Sequence, residues 1–325
     1  TFTFTVPLKT AVNSGETLVS KAQITEATTI KGTPSSNIER DIANPDILAN
    51  DQQLTINKPL LATELVGTQV NNTSNGNTEA VVGELVTYRT TITIPEGTMP
   101  SAVLKDLLDP GLAFVGFTKI TPSGGVTSST ISNVSDLNTK ATIDPNGTGF
   151  TLDLGNLVNT NAVNGTPETI VIEYQAVVLN TAANQSTAKE SGPQVNNAAS
   201  LNWGTNPTPA TPLSANAANV TIIEPQLQII KDVAVDGSGD TGNGGDEVVY
   251  TITIKHTANS EADAYEVNLT DVLPTQFITG VGAIAITSDS TGSGLTAADF
   301  QIAGGNAGSG GTLQLVAGKT LNIPE

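Results

Sequence analysis

An internal repeat constrains this chain more than any other feature of its sequence. Three pairs of segments match in residue type and in spacing, with offsets between 162 and 166 residues. The pairs are GELVTYRTTI (83–92) with GDEVVYTITI (245–254), VLKDLL (103–108) with NLTDVL (268–273), and LTINKP (54–59) with VTIIEP (220–225). A repeat at a fixed period indicates units of similar fold placed one after another.

The repeat predicts a complete domain at 59–224 and a second domain that is divided in two. Residues 225–325 are predicted to form its N-terminal half, with an acidic loop, and residues 1–58 to form its C-terminal half. The two ends of the chain support this division, because Pro324-Glu325 followed by TFTFTVPL (1–8) reproduces Pro167-Glu168 followed by TIVIEYQAVV (169–178). We therefore expect 1–58 to complete 225–325 of a neighbouring copy or period.

Three arrangements are compatible with this division. The sequence is one period of a continuous tandem chain, or separate subunits complete each other by strand addition, or the ends are coincidental boundaries of a trimmed chain. The first two arrangements both give a linear polymer, because head-to-tail contact without ring closure propagates.

Alternation of large apolar residues with threonine predicts an all-β fold. It runs through 86–94, 249–254 and 2–6, as it does in half-buried strands. Turn residues recur at short intervals between such runs, which favours antiparallel sandwiches of the immunoglobulin-like type. Pro59 and Pro225 follow strand-like segments without a flexible linker, so the sequence predicts a stiff rod of tandem sandwiches, two per period.

One set of motifs resembles a known family. The series KDV (231–233), GDEVVYTITI (245–254) and LTDVLP (269–274) is similar to the conserved-repeat family of microbial surface proteins known as domain of unknown function eleven. Residues 59–224 match its pattern less closely. The resemblance implies immunoglobulin-like repeats of large secreted or cell-surface proteins, and it implies an architecture and a location rather than an activity.

An acidic, glycine-rich loop at 236–247 predicts a calcium (Ca2+) site. Oxygen-bearing side chains stand at loop positions 1, 3, 5 and 12, a spacing that can wrap a hard cation. Thr241 replaces the glycine of the helix–loop–helix version, and a solvated acidic turn is the alternative interpretation. The predicted ligands are Asp236, Ser238, Asp240, Asp246 and Glu247.

Related surface sandwiches contain Lys–Asn crosslinks, and the resemblance raises that chemistry here. The second domain has Lys231 but Lys21 where the first has Asn197, and the first has Glu64-Leu65 where the lysine is expected. Each domain therefore lacks one of the two partners.

Composition excludes several functions. The chain has 13 Lys+Arg against 31 Asp+Glu and a formal net charge of −18, so it has no basic surface for nucleic acid or for an anionic membrane. We expect no membrane insertion in this segment. It has no cysteine, and its one histidine, His256, lies in a predicted strand without a catalytic set around it. We therefore predict that it is not an enzyme.

The sequence favours a structural repeat unit of an extracellular fibre or surface assembly, stiffened by calcium, whose partners are copies of itself. The alternative is an adhesin or glycan-binding module that contacts cell-surface or matrix glycans. That alternative needs an exposed aromatic cluster, and aromatic residues make up only 4% of the chain. Trp203, the single tryptophan, is expected to pack in a core rather than to form a sugar platform.

Overall fold

The computed structural model describes residues 1–9, 11–23, 26–28, 39–41, 49–68, 77–161, 167–185, 192–204, 212–235, 239–277, 284–287, 289, 294–304 and 310–324. Within these ranges the chain forms 24 strands and one short α-helix, α1 (Val134–Lys140). The strands that precede α1 are β1 (Thr17–Gln23), β2 (Glu26–Thr28), β3 (Glu39–Asp41), β4 (Ala49–Thr55), β5 (Leu60–Thr68), β6 (Glu79–Ala80), β7 (Leu85–Thr93), β8 (Gly97–Leu108), β9 (Leu112–Pro122) and β10 (Val126–Ser128).

The strands that follow α1 complete the element order. They are β11 (Ala141–Ile143), β12 (Gly149–Asn159), β13 (Thr169–Val178), β14 (Gln194–Val195), β15 (Asn197–Asn202), β16 (Leu213–Asn216), β17 (Val220–Ile222), β18 (Leu227–Val235), β19 (Val248–His256), β20 (Ala264–Val267), β21 (Thr270–Leu273), β22 (Phe300–Ala303), β23 (Gly311–Leu315) and β24 (Leu321–Ile323). The predicted all-β, antiparallel fold class is thereby confirmed. No helix among the described residues has the length and apolar character that a membrane crossing requires.

The strands from β5 to β17 form a small sheet, β14-β17-β6, in which β17 and β6 are parallel, and a sandwich of two antiparallel sheets. One sheet has the order β10-β12-β8-β15-β16, with β11 also paired to β12, and the other has the order β5-β7-β13-β9. Strand β7 shows why these residues fold in this way, because its buried and half-buried residues alternate along its whole length. Its apolar positions face a continuous core that includes Tyr88, Ile92, Leu104, Phe150 and Tyr174.

The helix α1 closes one side of this core. Asn133 caps it by accepting a hydrogen bond from the backbone N–H of Asp136, and the Asp136 side chain accepts one from the Asn133 N–H in return. This reciprocal cap satisfies donors that the first turn leaves unpaired. Leu137 is thereby held fully buried in the core.

The sandwich has two distinct ends, and a different part of the chain attaches at each. At one end, Thr98 donates its N–H to the carbonyl of Val12 and accepts from the N–H of Ser14, both at 2.9 Å. At the opposite end, the Ile222 N–H bonds to the Pro193 carbonyl at 2.8 Å, just before the chain continues into 225–324. Strand β7 runs between these ends over nine residues, so they lie roughly 30 Å apart at ~3.3 Å per residue.

The strands after residue 225 repeat the pairing found in the sandwich. Tyr88 on β7 and Tyr250 on β19 take matching positions, since β18 pairs with β19 as β5 pairs with β7. Asp271 on β21 lies opposite Leu313 on β23, as Asp106 on β8 lies opposite Phe150 on β12. The division into 1–58, 59–224 and 225–325 stays a prediction.

Candidate functional site

The acidic loop is described from Gly239 onward, so the predicted ligands Asp236 and Ser238 lie outside the described residues. Asp240 and Glu247 are exposed, and Asp246 is half-buried. The Asp246 carboxylate accepts a hydrogen bond from the backbone N–H of Asn243 at 2.6 Å, which closes a turn. The described part of the chain contains no group of three or more His, Cys, Asp or Glu side chains placed to hold a metal ion. The calcium site stays a prediction.

Gly242 shows how closely this loop approaches the sheet. A Cβ atom at this position would lie 2.6 Å from Cγ1 of Val235, the last residue of β18. A side chain is therefore excluded at 242 unless the loop moves. The loop is held against the end of the strand, which is where a bound cation would stiffen it.

A buried polar cluster lies inside the sandwich, between its two sheets. Asp106 on β8 accepts a hydrogen bond from the Tyr174 hydroxyl on β13, and that hydroxyl accepts one from Nδ2 of Asn197 on β15 at 2.6 Å. Thr90 on β7 lies 3.4 Å from the same hydroxyl and donates to the Thr63 hydroxyl at 3.2 Å. Strand alternation places all five side chains inward, so the cluster joins the two sheets through polar contacts.

Burial dominates the electrostatics of this cluster. Burial raises the pKa of Asp106 to about 7, although the hydrogen bonds from Tyr174 and Asn197 act in the opposite direction. Burial and the nearby Asp106 carboxyl raise the pKa of Tyr174 well above its usual value, so Tyr174 remains a donor. Within the described residues, Oδ1 of Asp106 and Oδ1 of Asn197 have no hydrogen-bond partner. A protonated carboxyl suits this site better than an ionised one, because it can donate as well as accept.

The strands after residue 225 carry an ion pair at the matching place. Nζ of Lys231 donates to both carboxylate oxygens of Asp271 at 2.7 Å and lies 4.3 Å from the ring centroid of Tyr250. Lys231 on β18 lies opposite Ile252, and Thr63 on β5 lies opposite Thr90. Because Ile252 and Thr90 take matching positions, Lys231 matches Thr63. The expectation that Glu64-Leu65 stands at the lysine position is therefore wrong by one or two residues. Thr63 has no amine, so no Lys–Asn crosslink can form from that position to Asn197.

Two other residues singled out in the sequence have structural contacts. His256 bonds through its ring nitrogens to the Ser260 hydroxyl at 2.6 Å and to the Ile323 carbonyl at 2.7 Å. Trp203 packs against the sandwich core, and its Nε1 donates to the Ser14 carbonyl at 3.0 Å. Both side chains hold neighbouring segments together.

The inner face of β18 and β19 is only partly covered, since Tyr250 packs edge-on against Phe277 with ring centroids 5.8 Å apart. Among the described residues, β19 pairs with β18 alone, whereas β7 pairs with β5 on one side and β13 on the other. The inward residues of β7 at 86, 88, 90 and 92 are all fully buried, but those of β19 at 248, 250, 252 and 254 are only half-buried. On β18, Ile229 is 60% exposed. This surface, which we call the open face, consists of Ile229, Val233, Tyr250, Ile252 and Ile254.

A second set of apolar residues is exposed at 1–8. Phe4 is 80% exposed and Val6 is 70% exposed, and residues 1–9 belong to no described strand. Their counterparts by repeat position, Ile172 and Tyr174, are fully buried in the sandwich. The same pattern therefore lies in a core in one domain and in solvent in the other.

Sequence reasoning did not identify the Asp106 cluster. A signal was present, because Asp106 interrupts the alternation of VLKDLL at an inward position, between Leu104 and Leu108. An inward acid in a strand requires partners, and Tyr174 and Asn197 come from strands far away in sequence.

No family model matches this chain, and no curated protein matches it. Among solved structures it is similar to the 35 kDa C-terminal fragment of the major pilin GBS80 of Streptococcus agalactiae, at 14% identity and TM-score 0.35 over 82% of this chain and 79% of that chain. It is also similar to BcpA, the major pilin subunit of Bacillus cereus, at 12% identity and TM-score 0.34 over 85% and 75%. The collagen-binding subdomain ACE19 of the Enterococcus faecalis surface protein ACE matches at 12% identity and TM-score 0.28 over 50% and 96%.

Proposed function

We propose that this chain is a structural unit of an extracellular fibre or surface assembly, in which copies join head to tail. Residues 1–58 of one copy complete the half-sandwich 225–325 of the next. The observation that carries the proposal is a pair of exposed apolar sets, Phe4 and Val6 in 1–8 and the open face of β18 and β19. The sandwich buries the residues at the matching positions.

Geometry favours a linear polymer over a closed monomer. The Val12–Thr98 and Pro193–Ile222 contacts lie at opposite ends of the sandwich, so the strands between them separate the two halves within one copy. Contacts of this head-to-tail kind give an open filament when no rotation closes a ring. A continuous tandem chain builds the same rod with the same interdomain contacts.

Calcium binding is the finer part of the proposal. The loop that follows β18 is acidic, and its Gly242 lies against Val235 at the end of β18. A cation bound in the loop therefore connects it to β18, one of the two strands of the open face. Binding to the folded state alone stabilises that state. Ligation by Asp236, Ser238, Asp240, Asp246 and Glu247 is the arrangement we propose.

A location outside the cell and the absence of catalysis belong to the same proposal. The resemblance to the conserved-repeat family of surface proteins supports the location. The absence of cysteine is compatible with it, because a domain of this size buries enough surface to fold without disulfides. Asp106 and Tyr174 are bonded to each other inside the core of the sandwich, so they offer no open site for a substrate.

An adhesin is the second candidate function. The observation that favours it is Tyr265, which is 67% exposed and whose hydroxyl donates to Asp263 at 2.9 Å. An exposed ring beside a carboxylate is a combination that binds sugars. A glycan array probed with wild-type chain and with Tyr265→Ala tests it, and an identical profile for the two removes this candidate.

Electron microscopy of the purified chain tests the fibre. We expect unbranched filaments at high protein concentration, with an axial repeat on the order of 80 Å for two sandwiches of strands about 12 residues long. Light scattering on diluted samples should show the filaments returning to shorter species. A chain that remains monomeric at every concentration, with and without calcium, contradicts the proposal.

A further inference from the structure

We propose that residues 1–8 of a second copy bind as an antiparallel strand along the edge of β19 that no described strand occupies, in the register that β13 takes on β7. This inference rests on the proposed head-to-tail assembly and specifies its contact. It names the strand, its direction and the residue pairs.

The sandwich supplies the template for this register. On β13, Ile170 lies opposite Ile92, Ile172 opposite Thr90 and Tyr174 opposite Tyr88. Replacing β7 by β19 through the Tyr88–Tyr250 match, and β13 by 1–8 through the Pro-Glu match, gives the new pairs. Phe2 is placed opposite Ile254, Phe4 opposite Ile252 and Val6 opposite Tyr250.

Side-chain volume is consistent with these pairs. Val6 is smaller than Tyr174, and Lys231 is larger than Thr63, the residue at its place in the sandwich. The tyrosine hydroxyl and the lysine chain reach the same region between the sheets, next to Asp106 and Asp271 respectively. Because Val6 is smaller than Tyr174, it leaves room for the Lys231 side chain.

The donor strand carries large apolar side chains that leave water on binding. Phe2 and Phe4 each bury about 150–250 Å² when they leave water. Val6, which is 70% exposed in the single copy, lies on the same face of the strand and adds to this apolar area. The open face supplies the matching apolar surface, with Ile229 60% exposed.

Charge favours the same partner. Between 225 and 325 the chain has twelve acidic residues and three lysines, whereas 1–23 has two lysines and one glutamate. Residues 1–8 themselves carry no charged side chain, and 1–23 as a whole is slightly positive in a strongly negative chain. Lys21, at the repeat position of Asn197, brings a second cation towards Asp271.

Cysteine crosslinking tests the register, because the chain has no cysteine of its own. Thr3→Cys and Thr253→Cys, made in separate chains, fall directly opposite each other on the outer face of the predicted pair, where Cβ atoms lie about 4.5–5.5 Å apart. Oxidising a mixture of the two chains should give a 3–253 disulfide between different copies. Asp232→Cys on β18 is the matched control, because it lies one strand further from the donor and opposite Thr251, at least about 10 Å away, and should not crosslink.

An aspartate placed on one face or on the other face of the donor strand, residues 1–8, tests which face is buried. Phe4→Asp should weaken association of the full chain by at least about 100-fold, because it replaces a buried ring by a carboxylate. Thr5→Asp carries the same charge on the outward face and should change association by less than about threefold. Both variants should melt like wild type when dilute, since Phe4 is exposed in the single copy.

The possible outcomes distinguish a wrong register from a wrong assembly. A 3–253 crosslink with selective loss in Phe4→Asp supports the register. Wild-type filaments without that crosslink, or with equal loss in both aspartate variants, overturn the register but leave the fibre in place. A 3–253 bond within one chain overturns binding between copies. A wild-type chain that never associates overturns both the register and the proposed function.

Discussion

The sandwich of β5–β17 and the strands after residue 225 share a sequence pattern and a strand register, yet they differ in burial. Tyr88 is fully buried and Tyr250 is half-buried at matching positions. The difference lies in one neighbour, because β7 has β13 beside it and β19 pairs with β18 alone among the described strands. The alternation of apolar and polar residues therefore determines which side chains face inward. The presence of a covering strand determines whether those side chains are buried.

The largest expected effect is the difference in stability between an aspartate on β13 and an aspartate at the matching position of residues 1–8. Ile172→Asp should unfold the sandwich, with a loss above about 5 kcal/mol, because it buries a carboxylate without a partner. Phe4→Asp should change the stability of the dilute chain by less than about 0.5 kcal/mol. Urea unfolding followed by circular dichroism measures both, and similar losses in the two variants would contradict the comparison.

The next effect concerns pH and the buried acid. Because the pKa of Asp106 is raised to about 7, the folded chain keeps a proton that the unfolded chain releases above its ordinary pKa, near 4. The stabilisation is complete below pH 4 and is lost as the pH rises through 7. We expect this group to remove roughly 2.5 kcal/mol between pH 5 and pH 8.

Asp106→Asn should flatten that pH dependence, since it replaces the titrating carboxyl by a neutral group of the same shape. Asp153→Asn, an exposed position on the adjacent strand β12, is the control and should keep the wild-type slope. Urea unfolding at several pH values measures the effect. A stability that rises steadily from pH 5 to pH 8 in wild type, and equally in Asp106→Asn, would show that Asp106 is ionised in the fold.

Calcium affinity is expected to differ between the two regions at the acidic loop. The half-sandwich has this loop, and the sandwich has the weaker series Asn72-Thr-Ser-Asn75 at its counterpart. Titration calorimetry should show binding that Asp240→Ala weakens about tenfold, because calcium affinity follows the number of ligand charges. Asp263→Ala, outside the loop, should leave the affinity unchanged. An absence of heat in wild type would leave the solvated turn as the interpretation.

The smallest effect is expected at the Lys231–Asp271 pair. Lys231 is 40% exposed, so Lys231→Met should cost no more than about 1 kcal/mol in the dilute chain. In the assembled chain the pair is covered, and the same change should cost more, since a buried acid loses its partner. Comparing denaturation midpoints below and above the association concentration measures the difference. An equal cost in both states would place the pair outside the contact.

The sequence predicted the strands and their inward faces from local alternation, as in 86–94. It also located the inner position of Tyr88 and Tyr250 through the repeat. It could not predict the Asp106–Tyr174–Asn197 cluster, because these residues lie up to 91 positions apart and their meeting depends on sheet order. The one-to-two-residue error at Thr63 has a local cause, because Leu60, one residue after Pro59, matches Gln228, three residues after Pro225.

The helix α1 was also not predicted. Its seven residues are too few for a clear periodicity, and isolated helices of that length are unstable in water. Its stability depends on the Asn133–Asp136 cap and on the burial of Leu137, and burial is a tertiary property.

The first and last strands of the sandwich, β5 and β17, have a mechanical consequence for a fibre under tension. The chain enters β5 at the end near Thr98 and leaves β17 at the opposite end, where β17 lies parallel to β6. A pull along the rod therefore slides each strand lengthwise past its neighbours. Sliding loads all the hydrogen bonds of a ladder together, whereas peeling breaks them one at a time. Each sandwich is thus oriented to resist stretching by shear, with the nine residues of β5 sharing the load.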